Sequence, residues 1–316
     1  MVESAPSPFG EGRGGALNKT LQAHLSLIIV NVIYAANFSI AKEVMPSHVS
    51  PFAFVLMRVS GALILFWLVS TFIIKEKVDK KDLPYMAMLA LFGVAINQLL
   101  FLKGLSITKP INGAIIMTSN PIIVIVIAAL FLKEKISFQK MSGILIGAAG
   151  ALIMLLYGKD FSFGSDTIYG DMLILINSFS WALFVVLVKP LMKKYNTFTV
   201  VKWIFLFGFI YVLPFGFSEF KQIDFNSFSP AIWRDVLFVV IATTFLAYVL
   251  NTYALRALSP SVVSIYIYLQ PFLATLIAIY LYKSDDLDLR KLTAAVLIIF
   301  GVYLVSFPIK KAKKES

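Results

Sequence analysis

The sequence predicts an all-α integral membrane protein: ten transmembrane helices arranged as two inverted five-helix repeats. Three observations predict it. The 316 residues are 59% hydrophobic and only 14% charged, with a mean hydropathy of +0.86, whereas a soluble domain is nearer half apolar and a quarter charged. The charged residues gather in short patches between ten apolar segments, each close to the roughly 20 residues an α-helix needs to cross about 30 Å of hydrocarbon. The two halves of the chain also carry matching marks in matching order. The segments are too long for barrel strands and lack period-two alternation, which excludes a membrane β-barrel.

The first segment, 21–42, holds Asn31, Tyr34 and Asn37 at mid-depth. Before it lies a polar tail, 1–20, read as disordered; it has no apolar core running into a small-residue cleavage site, so it is not a cleaved signal peptide. Segment two, 52–74, starts after Ser50-Pro51 and carries Arg58 about one turn inside. Segment three, 84–104, opens at Pro84, contains Asn97 and Gln98, and ends at Lys103. The fourth, 110–132, has Asn120-Pro121 near its centre, and the fifth, 139–157, contains Gly147 and Gly150.

The sixth, 168–189, contains Asn177 and Trp181 and ends at Lys189. The seventh is 198–218; the eighth, 232–256, contains Asn251 and ends at Arg256. The ninth, 260–282, centres on Gln270-Pro271, and the tenth is 290–308. Turn and stop signals such as Pro46, Lys109-Pro110 and Ser259-Pro260 separate them, as prolines at helix boundaries do. The connections are too short for a soluble domain. The organisation is therefore a first repeat, 21–157, a second, 168–308, and a basic tail, 309–316.

Orientation follows from the basic residues. Eighteen Lys and Arg fall on the side of the N-terminus and nine on the other, with Arg58 left inside a span. The positive-inside rule then places both termini in the cytoplasm. The net charge of +11 belongs to this patterning and to lipid headgroups, with no nucleic-acid partner called for. Cysteine is absent, which excludes disulfides, thiolate catalysis and Cys-ligated metals. His24 and His48 stand near the ends of the first span without a metal-ligand partner. Phosphate loops, zinc motifs and nucleophile elbows are missing. No cofactor and no metal is expected.

Pro110 and Pro121 lie eleven apart, as do Pro260 and Pro271, so Asn120-Pro121 answers Gln270-Pro271. Asn31, Tyr34 and Lys42 align with Ser178, Trp181 and Lys189. Phe101 to Ser106 echoes Ala254 to Ser259, which pairs Gln98 with Asn251. Five spans per repeat is an odd number, so the second copy enters the membrane from the opposite face. Inverted halves that exchange conformations give alternating access, a construction typical of secondary transporters.

These marks resemble the drug/metabolite transporter superfamily, in its ten-span members with two EamA domains. The resemblance is carried by Tyr34 and Trp181, by Pro51 with Arg58, by the Lys103 and Arg256 ends of spans 3 and 8, by Pro121 and Pro271, and by Phe131 to Lys135 with its acidic Glu134. It covers about residues 21–308. The chain departs from the pattern at Lys283-Ser284-Asp285-Asp286, so Glu134 has no symmetric partner. The resemblance implies an exporter or exchanger of amino acids or other small metabolites and no particular substrate. The reading of the sequence is an exporter of a bacterial inner membrane, and not an enzyme.

The substrate-binding candidates are Tyr34, Asn37, Arg58, Gln98, Asn120, Trp181, Asn251, Tyr266 and Gln270. Polar groups at mid-depth face other helices or a cavity, because lipid offers them no partner. Pro121 and Pro271 mark helix breaks, where lost backbone hydrogen bonds must be made up elsewhere. Arg58 is placed to bind a substrate carboxylate, and Tyr266 to wall an apolar solute. Spans 1, 3, 4, 6, 8 and 9 are expected to line the cavity. No Asp or Glu sits mid-span, which favours facilitated efflux or exchange over coupling through a buried carboxylate. The partners are a small-molecule substrate and the bilayer; monomer and homodimer remain open. A lipid-modifying membrane enzyme and a non-transporting scaffold are the alternatives, without convergent catalytic groups or a need for inversion.

Overall fold

A computed structural model describes residues 13–45, 47–74, 76–156, 167–282 and 288–307. Ten of its helices are long and apolar enough to cross a membrane: Asn18–Asn37, Pro51–Phe72, Lys80–Ile107, Asn112–Leu132, Phe138–Leu156, Ile168–Lys194, Thr197–Phe220, Pro230–Ala257, Pro260–Ile277 and Leu289–Ser306. They are spans 1 to 10 below. The first helix starts at Arg13, so residues 13–20 belong to that helix instead of a disordered tail; extending an established helix is cheap compared with nucleating one. The rest of that tail, Pro46, Lys75, Lys159, the 283–286 departure and the basic tail with Lys310 to Lys314 lie outside the described residues.

Spans 3 and 8 share an unusual build. In span 3, Leu83–Ala90 passes through a π-helical stretch, Leu91–Ile96, into Asn97–Ile107. In span 8, Pro230–Phe238 passes through Val239–Leu246 into Ala247–Ala257. The extra residue of a π-turn re-aims side chains and frequently marks functional sites. The two equal final segments align without a gap to Pro110 and Pro260, so the position equivalent to Gln98 is Tyr248. The pairing of Gln98 with Asn251 is thereby corrected; the short Leu-Lys/Arg echo shifts the register by most of a turn.

Spans 4 and 9 are broken. Span 4 consists of Pro110–Met117 and Asn120–Leu132, joined through Thr118 and Ser119. Span 9 consists of Pro260–Ile265, a 3₁₀ turn Tyr266–Tyr268, and Leu269–Tyr282. Pro121 and Pro271 therefore do not kink a continuous helix. Each stands in the first turn of a new segment, where a missing N–H costs little. The carbonyls left at the first break are taken up locally: Ile115 O accepts from Thr118 N (3.0 Å) and Thr118 Oγ1 (2.6 Å), and Ile116 O from Ser119 N (3.0 Å) and Ser119 Oγ (2.7 Å).

Spans 2 and 7 pack closely and antiparallel, and each caps the other. Glu219, at the end of span 7, accepts from Ser50 Oγ (2.6 Å), Phe52 N (3.2 Å) and Ala53 N (3.3 Å) at the start of span 2. Glu76, just past span 2, accepts from Asn196 N (2.9 Å) at the start of span 7. A carboxylate at a helix N-terminus satisfies open donors and meets the positive end of the dipole. Spans 5 and 10 approach through glycines: a Cβ on Gly301 would lie 2.6 Å from both Gly143 O and Gly147 N. Such small-residue faces let backbones meet in a membrane, where packing replaces the hydrophobic drive.

Candidate functional site

Between the helices lies a cavity of about 110 Å³. Tyr34 and Asn37 of span 1 line it, with Arg58 of span 2, Gln98 of span 3, Asn120 of span 4, Trp181 of span 6 and Gln270 of span 9. Asn97, Phe101, Met117, Asn177, Ser178, Thr243, Tyr248 and Ile267 complete the wall. Span 2 joins the expected spans 1, 3, 4, 6, 8 and 9 through Arg58.

One polar contact occurs twice, each time bridging the two halves. Asn120 Nδ2, after the first break, donates to Ser178 O in span 6 at 3.0 Å. Gln270 Nε2, after the second, donates to Asn31 Oδ1 in span 1 at 3.0 Å. Asn120 answers Gln270 and Ser178 answers Asn31, so one contact is repeated. At the centre, the equivalent positions meet: Gln98 Nε2 donates to Tyr248 Oη at 3.2 Å, and Tyr248 Oη donates to Gly93 O at 2.6 Å. The breaks are tied to each other by Tyr268 Oη, which donates to Thr118 O at 3.0 Å. Gln98 Oε1, Asn120 Oδ1 and Ser178 Oγ are buried without a hydrogen-bond partner, an unspent capacity that is costly unless something fills it.

Arg58 is buried, 6% exposed. Its Nε donates to Thr244 Oγ1 at 2.9 Å, and Thr244 Oγ1 donates to Val239 O five residues back, at 2.7 Å. The π-helical register of span 8 thus sets the hydroxyl that holds the guanidinium. The neighbouring Thr243 Oγ1 donates to Asn37 Oδ1 at 3.2 Å.

Two expected residues are displaced. Asn251 stands one step behind the wall, with Nδ2 donating to Tyr34 Oη at 3.3 Å. Tyr266 does not line the cavity; its hydroxyl bonds His24 Nδ1 at 2.6 Å. The reason is the 3₁₀ turn, whose successive side chains point about a third of a turn apart. Ile267 faces the cavity, Tyr266 faces span 1 near its start, and Tyr268 faces the other break. Thr243, Tyr248 and Ile267 are not singled out by the sequence. Only the equivalence of Tyr248 with Gln98 could have flagged one of them.

The cavity is sealed at one end. There Pro260–Ile265 is buried throughout, as are Val188, Leu191, Leu255 and Leu258. Lys189 Nζ donates to Leu255 O, and to Leu258 O at 2.6 Å. Further out, Asp82 Oδ2 accepts from Lys194 Nζ and Tyr195 Oη, both at 2.5 Å. At the opposite end the equivalent stretch of span 4 is looser toward its break: Asn112 and Gly113 are buried like Val262 and Val263, but Ala114, Ile115 and Ile116 are half-buried where Ser264, Ile265 and Tyr266 are buried. Lys103 there is half-buried near the Phe52 ring, and Arg256 at the sealed end is exposed. Glu134 pairs with Lys140 at 2.5 Å.

Comparison with known proteins finds the same division of the chain into two halves. The profile of the EamA-like transporter family matches residues 21–156 and, a second time, 168–307. An uncharacterized transporter of Archaeoglobus fulgidus is 26% identical over 90% of this chain and 97% of its own length. The uncharacterized transporter YyaM of Bacillus subtilis is 24% identical over 93% and 97%. The WAT1-related protein At3g18200 of Arabidopsis thaliana is 25% identical over 92% and 83%. A solved crystal structure shares the fold with a TM-score of 0.71 at 15% identity, covering 91% of this chain and 96% of that one.

Proposed function

The chain belongs to the EamA-like transporter family, and we propose that it exports or exchanges a small, amino-acid-like metabolite by alternating access through the cavity described above. The two matched halves act as inverted five-helix repeats that rock about the bound solute. Arg58 takes the solute carboxylate, the amides of Asn37, Gln98, Asn120 and Gln270 fix its polar groups, and Trp181 and Tyr34 hold its body. The observation that carries this reading is the doubled amide contact at two broken helices around one buried arginine. Half-helices at mid-membrane are where such carriers bind their solutes.

The test is solute-induced thermal stabilisation of the purified protein across a metabolite library that includes amino acids, followed by counterflow of any hit in proteoliposomes. The stabilisation is expected to vanish in Asn37→Ala and in Gln98→Ala, measured separately. A hit indifferent to both places the site elsewhere. Turnover of a lipid with no solute movement would favour the enzyme alternative.

The membrane is proposed to be a bacterial inner membrane, with both termini cytoplasmic. A chain without cysteine makes each introduced thiol a unique reporter. An impermeant maleimide is expected to label Ser47→Cys and Asn226→Cys in intact cells. Lys81→Cys and Lys193→Cys should react only after permeabilisation. The reverse pattern inverts the topology.

A further inference from the structure

We propose that the cavity selects solutes carrying one net negative charge, and that the need to neutralise Arg58 makes the carrier an exchanger that reorients only when loaded; this rests on the transporter reading above. Among the described residues that line the cavity, Arg58 alone is charged. Its hydrogen-bond partner, Thr244, is neutral, and so are Tyr34, Tyr248 and the surrounding amides. The described ion pairs, Lys140–Glu134, Lys194–Asp82 and Arg234–Asp235, all involve other residues. A guanidinium does not lose its proton in a protein. The empty site therefore holds one positive charge that no carboxylate of the wall offsets.

That charge behaves differently in the two stages of a transport cycle. With one end open, water solvates the guanidinium. To change sides, the carrier must pass through a state closed at both ends, and the water is stripped away. An uncompensated arginine at membrane depth is expensive, so closure of the empty carrier is opposed. A bound monoanion replaces the water with a charge-assisted pair, bidentate if it is a carboxylate, and the closed site is neutral. A zwitterion answers the arginine but brings an ammonium for which the wall has no anion. A cation adds to the charge already there. Trp181, Phe101 and Ile267 give the uncharged part of the solute an apolar surface. Within amino-acid-like metabolites, the class favoured is the amine-free one, the 2-oxo acids.

The experiment uses two sets of solutes with constant body and varied charge: phenylpyruvate, phenylalanine and phenethylamine, and pyruvate, alanine and ethylamine. An oxo acid is expected to raise the melting temperature of the wild type, while its zwitterionic and cationic relatives leave it unmoved. In proteoliposomes in potassium sulfate, exchange of that labelled oxo acid should exceed net efflux into solute-free medium on the order of a hundredfold, the penalty on closing over an unpaired arginine. The exchange should be indifferent to an imposed membrane potential, because the loaded carrier is neutral. Arg58→Lys keeps the anion preference with weaker binding, and Arg58→Gln loses the preference. If Arg58→Gln does not fold, the wild-type charge series decides alone. The proposal is overturned if no anion of either set stabilises the protein, if phenylalanine or alanine matches its oxo acid, or if net efflux equals exchange. Counterflow of a solute of another charge would overturn this inference while leaving the transporter reading intact.

Discussion

Gly301→Val is expected to be the most destabilising single substitution in the chain that touches no cavity residue. Its Cβ would meet Gly143 O and Gly147 N at 2.6 Å and Gly147 Cα at 2.7 Å. All three are backbone atoms of a continuous helix, Phe138–Leu156, and none can rotate out of the way as a side chain would. Spans 5 and 10 must separate, and the interface they share is among the most extensive between any two helices of the fold. Overpacking a tight site costs about 1–3 kcal/mol; here the value should lie at or above the upper end. The damage also reaches the site. Gly147 seats the Tyr268 ring, at 2.7 Å from a notional Cβ, and Tyr268 ties the two helix breaks together. Thermal unfolding in detergent should show a large loss of melting temperature together with weaker solute stabilisation. Ile299→Val, on the exposed face of the same helix, should change neither. Equal melting of Gly301→Val and Ile299→Val would mean that the two helices are not held by this face.

Much of the scaffold could be read from residues alone, because lipid imposes it. Ten spans follow from segment length, and the paired prolines at equal spacing locate both breaks to within a few residues. The polar groups of the cavity were legible for the same reason: Asn37, Gln98, Asn120 and Gln270 have no tolerable place in lipid. What could not be read depends on local helical geometry. No residue pattern announces the π-turns of spans 3 and 8, yet Thr244 reaches Arg58 only through that register. The 3₁₀ turn at Tyr266–Tyr268 swaps the expected Tyr266 for Ile267. Short echoes such as Leu102-Lys103 and Leu255-Arg256 mislead the alignment by most of a turn, enough to send Asn251 to the second layer. The reciprocal capping by Glu76 and Glu219 joins residues too far apart in sequence for any local signal.

The two halves share their contacts but not their state. Ser264, Ile265 and Tyr266 are buried at one end, while their counterparts Ala114, Ile115 and Ile116 are half-buried at the other. A repeat folded twice in the same way should be equally packed at both ends unless something closes one of them. At the closed end Lys189 caps the carbonyls of Leu255 and Leu258, both buried residues.

Lys189→Met is therefore expected to open that end. The two carbonyls belong to the last turn of Ala247–Ala257 and the residue after it, where a helix leaves acceptors without intrahelical donors. Leu255 is fully buried and Leu258 nearly so, so water does not replace the ammonium while the end stays shut. Hydrogen bonds to a charged group are worth about 1.5–3 kcal/mol, which corresponds to a population shift of about 10- to 150-fold. In the open form the same carbonyls are hydrated, so the loss falls on the closed form alone. Ile267→Cys, at the cavity wall, gives the readout in a chain that has no other thiol. In an otherwise native chain an impermeant maleimide should reach this cysteine only from the end bearing Ala114 to Met117. With Lys189→Met it should also react from the Lys189 end, in inverted vesicles if that end is cytoplasmic. Lys189→Arg keeps the charge and the donors and should restore one-sided labelling. Labelling from a single side in all three proteins would show that apolar packing holds the seal and that the ammonium only decorates it.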